Sequence, residues 1–421
     1  MSTKQITVID QTIREGMQHR GIVFSKEQRK AILEFQEELG VDICQAGYAP
    51  AHITEQEHIR YLNQVVHQNG YAIRVAGMGR ASIRDVDSLV MTGVADFHLH
   101  ANIQTGADEE EIHKSLNKIG AAVQELRSRV PDSRISIAIL DIGAFSGGVS
   151  PAVRDSSNSW QVLERVSYFL AREIGIDILS LPDTSGIMSP DDFYDAVSKI
   201  VSKLDDTLEF SESDISQTLD FEEIDCEELT ASVRTKISVH CHNDLGMASA
   251  NTLMGVKAGA TVVELSALGI GERNGIGDLF TVAQFLKNQG YEIRLDTDNI
   301  NLFKAYYQYV SDICKTQTGE ALLNYNTPFF GAASRTHVAG THAGANFGIF
   351  KKDYNLPEEY FLNVLCGRDL VKRYLESMEI DFEPERLHKI TEEIKSQSAS
   401  LGRCLAKEEI IAIKHKTLLA L

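Results

Sequence analysis

The sequence predicts an α/β chain: a (β/α)8 barrel of parallel strands followed by a C-terminal helical appendage. Three observations carry this prediction. Short β-type runs alternate with longer helical patterns through the first 298 residues, which is the alternation of a parallel sheet. The chain has 421 residues and is 43% hydrophobic, enough for one large domain with a sizeable core plus a smaller domain. After Asn299 the β-type runs stop and helical patterns continue to the end.

In chain order, the strands expected are Ile6–Asp10, Val41–Ala46, Ala72–Ala76, Ala95–His100, Ile135–Leu140, Ile178–Leu181, Ile237–His242 and Val262–Leu268. Between them, helical spacing marks Lys26–Leu39, Ile83–Met91, Glu109–Arg129, Gln161–Glu173 and Pro190–Lys203. An open doubly wound sheet would give the same alternation. The absence of G-x-G-x-x-G after the first strand weighs against a dinucleotide-binding sheet and for the TIM barrel. The catalytic barrel is placed at 1–298 and the appendage at 299–421, with helices at Leu302–Lys315, Pro357–Leu365, Arg368–Met378 and Pro384–Ser398.

The net charge of −19 opposes association with nucleic acid or anionic lipid, so an anionic substrate needs local positive charge from a metal or from placed arginines. No 18-residue apolar run and no basic-then-apolar leader is present, which predicts neither a membrane span nor a signal peptide. Cys44, Cys226, Cys241, Cys314, Cys366 and Cys404 form no C-x-x-C pair and are expected as buried, reduced thiols of a cytoplasmic protein. Leu204–Val233 carries eleven acids and no Lys or Arg, and reads as a solvated acidic insertion at 204–233.

Chemistry-bearing residues collect at predicted strand ends. His240 and His242 are two apart on the seventh strand, so they share a face while Cys241 points away. Two such imidazoles can hold a divalent metal. Alone, H-x-H is also a common core or surface pattern. Asp10-Gln11-Thr12-Ile13-Arg14-Glu15-Gly16 ends the first strand, offering a carboxylate for a metal and an arginine for developing negative charge, or simply an ion pair at the barrel end. Gly269, Gly271 and Gly275 follow the eighth strand, in a loop where barrels often bind phosphate. Thr336-His337-Val338-Ala339-Gly340-Thr341-His342-Ala343-Gly344 places histidines among small residues in the appendage.

Taken in order, D-x-T-x-R-[DE]-G, H-x-H-N-D-x-G, G-x-G-E-R-x-G and T-H-x-A-G-x-H resemble the DRE-type TIM metallolyase group. That group includes 2-isopropylmalate, citramalate and homocitrate synthases and HMG-CoA lyase. The resemblance implies a divalent metal (Zn, Mn or Mg) held by Glu15, His240 and His242, with acetyl-CoA as co-substrate. Arg14 matches the catalytic arginine. His100 and Thr184 match substrate-side residues, Arg80 more loosely, and Gly271, Glu272 and Arg273 belong to the substrate-binding glycine loop. His342 and Tyr354 resemble a His and Tyr that act across the subunits of a homodimer. The implied reaction is a Claisen condensation of acetyl-CoA with a 2-oxo acid, releasing CoA.

Departures from the group's pattern bear on the substrate. The Ser-x-Glu-Asp run expected after the fifth strand is replaced by Ala138-Ile139-Leu140-Asp141, so Asp141 is the nearest stand-in for a catalytic acid. Ile276 stands where isopropylmalate synthases have a metal-binding Asn, and Gln45 where a Glu is usual. Thr105-Gly106-Ala107-Asp108-Glu109 lacks the arginine with which homocitrate synthases read a distal carboxylate, which favours an apolar 2-oxo acid such as 2-oxoisovalerate and hence leucine biosynthesis. Homocitrate or citramalate synthesis is the alternative, and Glu15 and Ile276 lean toward the former. A catalytically inactive binding or regulatory homologue is the reading of another class. HMG-CoA lyase chemistry uses a cysteine in the glycine loop, and Gly269–Gly275 has none. Nothing after Asn299 has the β-rich length of a leucine-sensing domain, so the expected form lacks one.

Overall fold

The computed structural model describes residues 4–103, 108–145, 159–205, 235–322, 360 and 362–419. The chain divides into two compact units, Met1–Leu322 and Leu323–Leu421.

In the first unit the strands are β1 (Gln5–Asp10), β2 (Ile43–Tyr48), β3 (Arg74–Arg80), β4 (Asp96–Ala101), β5 (Arg134–Ile139), β6 (Ile178–Asp183), β7 (Lys236–Cys241) and β8 (Val262–Leu265). Each pairs in parallel with its successor, and β1 pairs with both β8 and β2, closing the (β/α)8 TIM barrel. Ile9 opposite Ile43 and Asp10 opposite Cys44 set the closing register. A short β9 (Glu292–Ile293) adds to the outside of β1. The strands are buried on both faces, which is why they read as nearly continuous apolar runs. Ile9, Ile43, Ala76 and Val262, with Ile178 against them, form an apolar cluster drawn from several strands.

Helices α1 to α10 fill the connections: α1 (Thr12–Gly16), α2 (Lys26–Leu39), α3 (Ile53–Asn69), α4 (Ile83–Val90), α5 (Glu109–Arg129), α6 (Ile142–Phe145), α7 (Ser159–Tyr168), α8 (Pro190–Asp205), α9 (Ala248–Lys257) and α10 (Leu279–Asn288). Local sequence explains several boundaries. Ser25 and Gln28 form a reciprocal cap at the start of α2, and Gly40 ends it at φ 82°. Asp108 and Glu111 do the same at the start of α5. The acidic insertion expected at 204–233 begins later, because Leu204 and Asp205 complete α8; the rest lies outside the described residues.

α11 (Ile300–Thr318) lies within the first unit, whereas the boundary expected at 298/299 put it in the appendage. Its buried tyrosines explain the difference. Tyr306 Oη donates to Asp10 Oδ2 at 2.9 Å, and Tyr307 Oη donates to Asp278 Oδ2 at 2.9 Å.

The second unit packs α12 (Arg368–Ser377), α13 (Leu387–Leu401) and α14 (Lys407–Leu419) around Leu362, Val371, Leu375, Ile390, Ile394 and Ile410. The helix expected at Pro357–Leu365 is absent from its described part. There Asn363 Oδ1 accepts from Leu365 N at 2.8 Å, closing a turn that competes with helix. Among the described cysteines, Cys44, Cys241, Cys314 and Cys366 are buried, but Cys404 is exposed, against expectation. Among the described residues no helix is long and apolar enough to cross a membrane.

Candidate active site

A cavity of about 550 Å³ opens at the C-terminal end of the barrel strands. Arg14, His100, Thr184, His240, His242 and Glu272, all expected at the site, line it. Gln45, Tyr48, His98, Ser136, Ser180 and Glu264 line it too.

Arg14 and Glu15 do not sit on the first strand. Asp10 Oδ1 accepts from Thr12 N at 2.8 Å and from Thr12 Oγ1, turning the chain into α1. Thr12 Oγ1 in turn accepts from Ala267 N at 2.8 Å, tying α1 to the loop after β8. Arg14 then donates to Gln45 Oε1 at 2.6 Å and Gln18 Oε1 at 2.7 Å, and pairs with Glu15. Its guanidinium is held in place before any ligand arrives. Burial pushes the Glu15 carboxyl up, but the Arg14 guanidinium beside it leads the opposing effects, so the group sits below its ordinary value and is ionised.

His240 is the penultimate residue of β7, and His242 lies just beyond the strand, bridged to Ile276. The two rings stand 4.9 Å apart with their Nε2 atoms 3.2 Å from each other. Burial and the neighbouring His240 lower His242 to about 3, so it is a neutral imidazole near pH 7. His242 Nδ1 is buried without a hydrogen-bond partner. His240 Nδ1 lies 3.5 Å from Glu264 Oε2, a contact that favours the tautomer leaving Nε2 as the lone-pair donor.

Glu264 is a buried hub that the sequence reading missed. Ser180 Oγ donates to Oε1 at 2.6 Å, Ser238 Oγ to Oε1 at 2.8 Å, and Gln11 Nε2 to Oε2 at 2.6 Å. Burial opposes its charge, but His240 and the Ser180 hydroxyl hold its carboxyl well below the ordinary range. His98 was also missed; Gln45 Nε2 lies 2.8 Å from its Nδ1, linking it through Gln45 to Arg14. Period-2 spacing from His100 on β4 was the available signal for His98, and from Leu265 backward none existed for Glu264.

The glycine loop is folded against Glu15. Glu272 N donates to Glu15 Oε1 at 3.2 Å. A Cβ on Gly271 would lie 2.7 Å from Glu15 Cγ, and Gly275 at φ 82° leaves only 1.9 Å between such an atom and Gly269 O. Glycine is therefore required at both positions.

Other expected residues stand apart from the cavity wall. Arg80 is exposed and forks onto Asp85, with Nε–Oδ2 at 2.8 Å and Nη2–Oδ1 at 2.7 Å. Asp141, at φ 60°, faces Ser185 Oγ and donates its N–H to Thr184 Oγ1 at 3.1 Å; it braces the turn that carries Thr184. Arg273 binds Asp244, with Nε–Oδ1 at 2.9 Å, and the Thr184 carbonyl. Asp108 and Glu109, in the run that lacks the arginine, are engaged in the α5 cap and with Arg165. Thr105, His342 and Tyr354 lie outside the described residues.

A closed parallel barrel with ionisable and imidazole side chains gathered over its C-terminal end is the architecture of a (β/α)8 enzyme. More narrowly, this chain is an enzyme of the HMGL-like family and belongs to it through residues 5–212 and 221–305. It is 28% identical to a 2-isopropylmalate synthase of Sulfolobus acidocaldarius, covering 98% of this chain and 96% of that one. A homocitrate synthase of Pyrococcus abyssi is 27% identical over 89% of this chain and 90% of its own length. Among solved structures, the HMG-CoA lyase of Bacillus subtilis superposes with a TM-score of 0.57 at 14% identity, covering 77% of this chain and 98% of that one, a likeness of fold.

Proposed function

We propose that the chain condenses acetyl-CoA with a 2-oxo acid, most specifically 2-oxoisovalerate to 2-isopropylmalate, with a divalent cation at Glu15, His240 and His242. The observation that carries the reading is the convergence of His240 and His242. Two nitrogens about 2.0–2.1 Å from one ion at ordinary ligand angles stand roughly 3.0–3.4 Å apart, and these stand 3.2 Å apart. The donor set fits as well: His242 is neutral and Glu15 is ionised. Lewis-acid polarisation of the oxo acid's keto oxygen is the chemistry such an ion supplies when bound.

The chain's own residues do the rest. Arg14, fixed by Gln45 and Gln18, stabilises negative charge developing on the oxygen at C2. Thr184, braced by Asp141, offers a hydroxyl to the oxo acid's carboxylate. His100, whose Nε2 lies 3.3 Å from Tyr48 Oη, is lowered by burial and so approaches substrate as a neutral ring. His342 is proposed as the base that takes the acetyl methyl proton, assisted by Tyr354, both from the partner of a homodimer. Thioester hydrolysis then releases CoA.

The cavity wall supports an apolar side chain on the oxo acid. Met78, Leu99, Ala138, Leu140 and Pro182 line it, and Arg14 is its one permanent cation among the described lining residues. The similarity to a homocitrate synthase and the presence of Glu15 support the alternative, 2-oxoglutarate. Assaying CoA release with a panel of 2-oxo acids decides between them. Turnover should be highest with 2-oxoisovalerate and be abolished by chelation. Preference for 2-oxoglutarate would replace the substrate, and metal binding without CoA release from any acid would make the chain a non-catalytic relative.

A further inference from the structure

We infer that Glu272 is itself a ligand of the divalent-cation centre, reaching in from the rim of the barrel; the inference rests on the metal reading above. Glu15, His242 and Glu272 each offer a ligand atom, and the three atoms lie within 4.8 Å of one another. The His242 ring is buried where the three meet.

The loop is built to keep Glu272 there. Its backbone N–H is latched to Glu15 Oε1 at 3.2 Å, and the bare Gly271 lets the loop close onto the Glu15 side chain. The Glu272 carboxylate has no strong competing partner. Arg273 Nη1 is 3.5 Å from Oε1, and that guanidinium is already taken by Asp244, with Nη2–Oδ2 at 3.0 Å. The buried Glu15 and the half-exposed Glu272 together offer the oxygen ligands that a divalent ion takes. Ile276, bridged to His242 in the same loop, is apolar and buried, so it offers no ligand.

The test is Mn²⁺ affinity of the full-length apo protein, read as free Mn²⁺ by electron paramagnetic resonance. Glu272→Gln, Glu15→Gln and His242→Ala are compared with wild type at about 0.05 and 0.5 M salt, where an outer charge's field is weakly and strongly screened. A ligand role predicts that Glu272→Gln weakens binding at least about tenfold at both salt concentrations. Affinity within about twofold of wild type, or a defect that disappears at high salt, overturns the ligand role. If Glu15→Gln and His242→Ala also bind Mn²⁺ normally, the metal centre itself is wrong.

Discussion

The side chain with most leverage over this site is one that would not itself hold the ion. Glu264 accepts from Ser180, Ser238 and Gln11 and stands beside His240 Nδ1, so four side chains converge on one carboxylate. Such a partner fixes a histidine's tautomer and raises its basicity as a ligand. Glu264→Gln keeps the shape but replaces an acceptor with an amide that must face donors. It should cost about 1–3 kcal/mol of stability, seen as a lower urea midpoint, and weaken metal binding about 10–100-fold by calorimetric titration. Unchanged metal affinity in a folded Glu264→Gln protein would mean that His240 is oriented by something else. Gln45 has the complementary role for Arg14, since its Oε1 accepts from the guanidinium and its Nε2 faces His98.

At the level of elements, the D-x-T pair does more than mark a motif. Asp10 and Thr12 bend the chain out of β1 into α1, and Asp10 is simultaneously the acceptor for Tyr306 of α11. Burial pushes Asp10 up against the lowering effect of Thr12 and Tyr306, so each lost donor matters. Tyr306→Phe should therefore destabilise the first unit by about 1–3 kcal/mol, measured by chemical unfolding. No loss of stability would remove α11 as a structural part of the barrel. How far the elements were legible follows from the same physics. The eight strands were readable because strands buried on both faces must be apolar runs bounded by helices. The place of α11 was not, because its amphipathic spacing says that one face is buried but not against what. Arg14 and Glu15 were legible as residues but not as a helix, since five residues are too few for a period to show. Arg80 and Asp141 were misplaced at the cavity because sequence separation cannot reveal that Asp85 captures one and the Thr184–Ser185 turn the other.

For the molecule as a whole, a net charge of −19 repels anionic substrates at a distance, so attraction must be short-range. Arg14 supplies part of it, and the ionised Glu15 beside it is a reason for a cation to supply the rest. Among the described histidines lining the cavity, burial lowers His98, His100 and His242. The proposed base is His342, which the sequence places in a motif of small residues. If the proposed homodimer pairs the barrel of one protomer with His342 of its partner, two dead variants should rescue each other. Glu15→Gln and His342→Ala proteins, each inactive alone, are co-expressed so that they pair at random. Half the dimers are then mixed, and each mixed dimer holds one intact site, giving about a quarter of wild-type CoA release in a two-fold assembly. Action of His342 on its own barrel would leave both sites of the mixed dimer broken. Activity that stays at the level of the single variants, with mixed dimers verified by mass, would place the base on the same protomer as the barrel it serves.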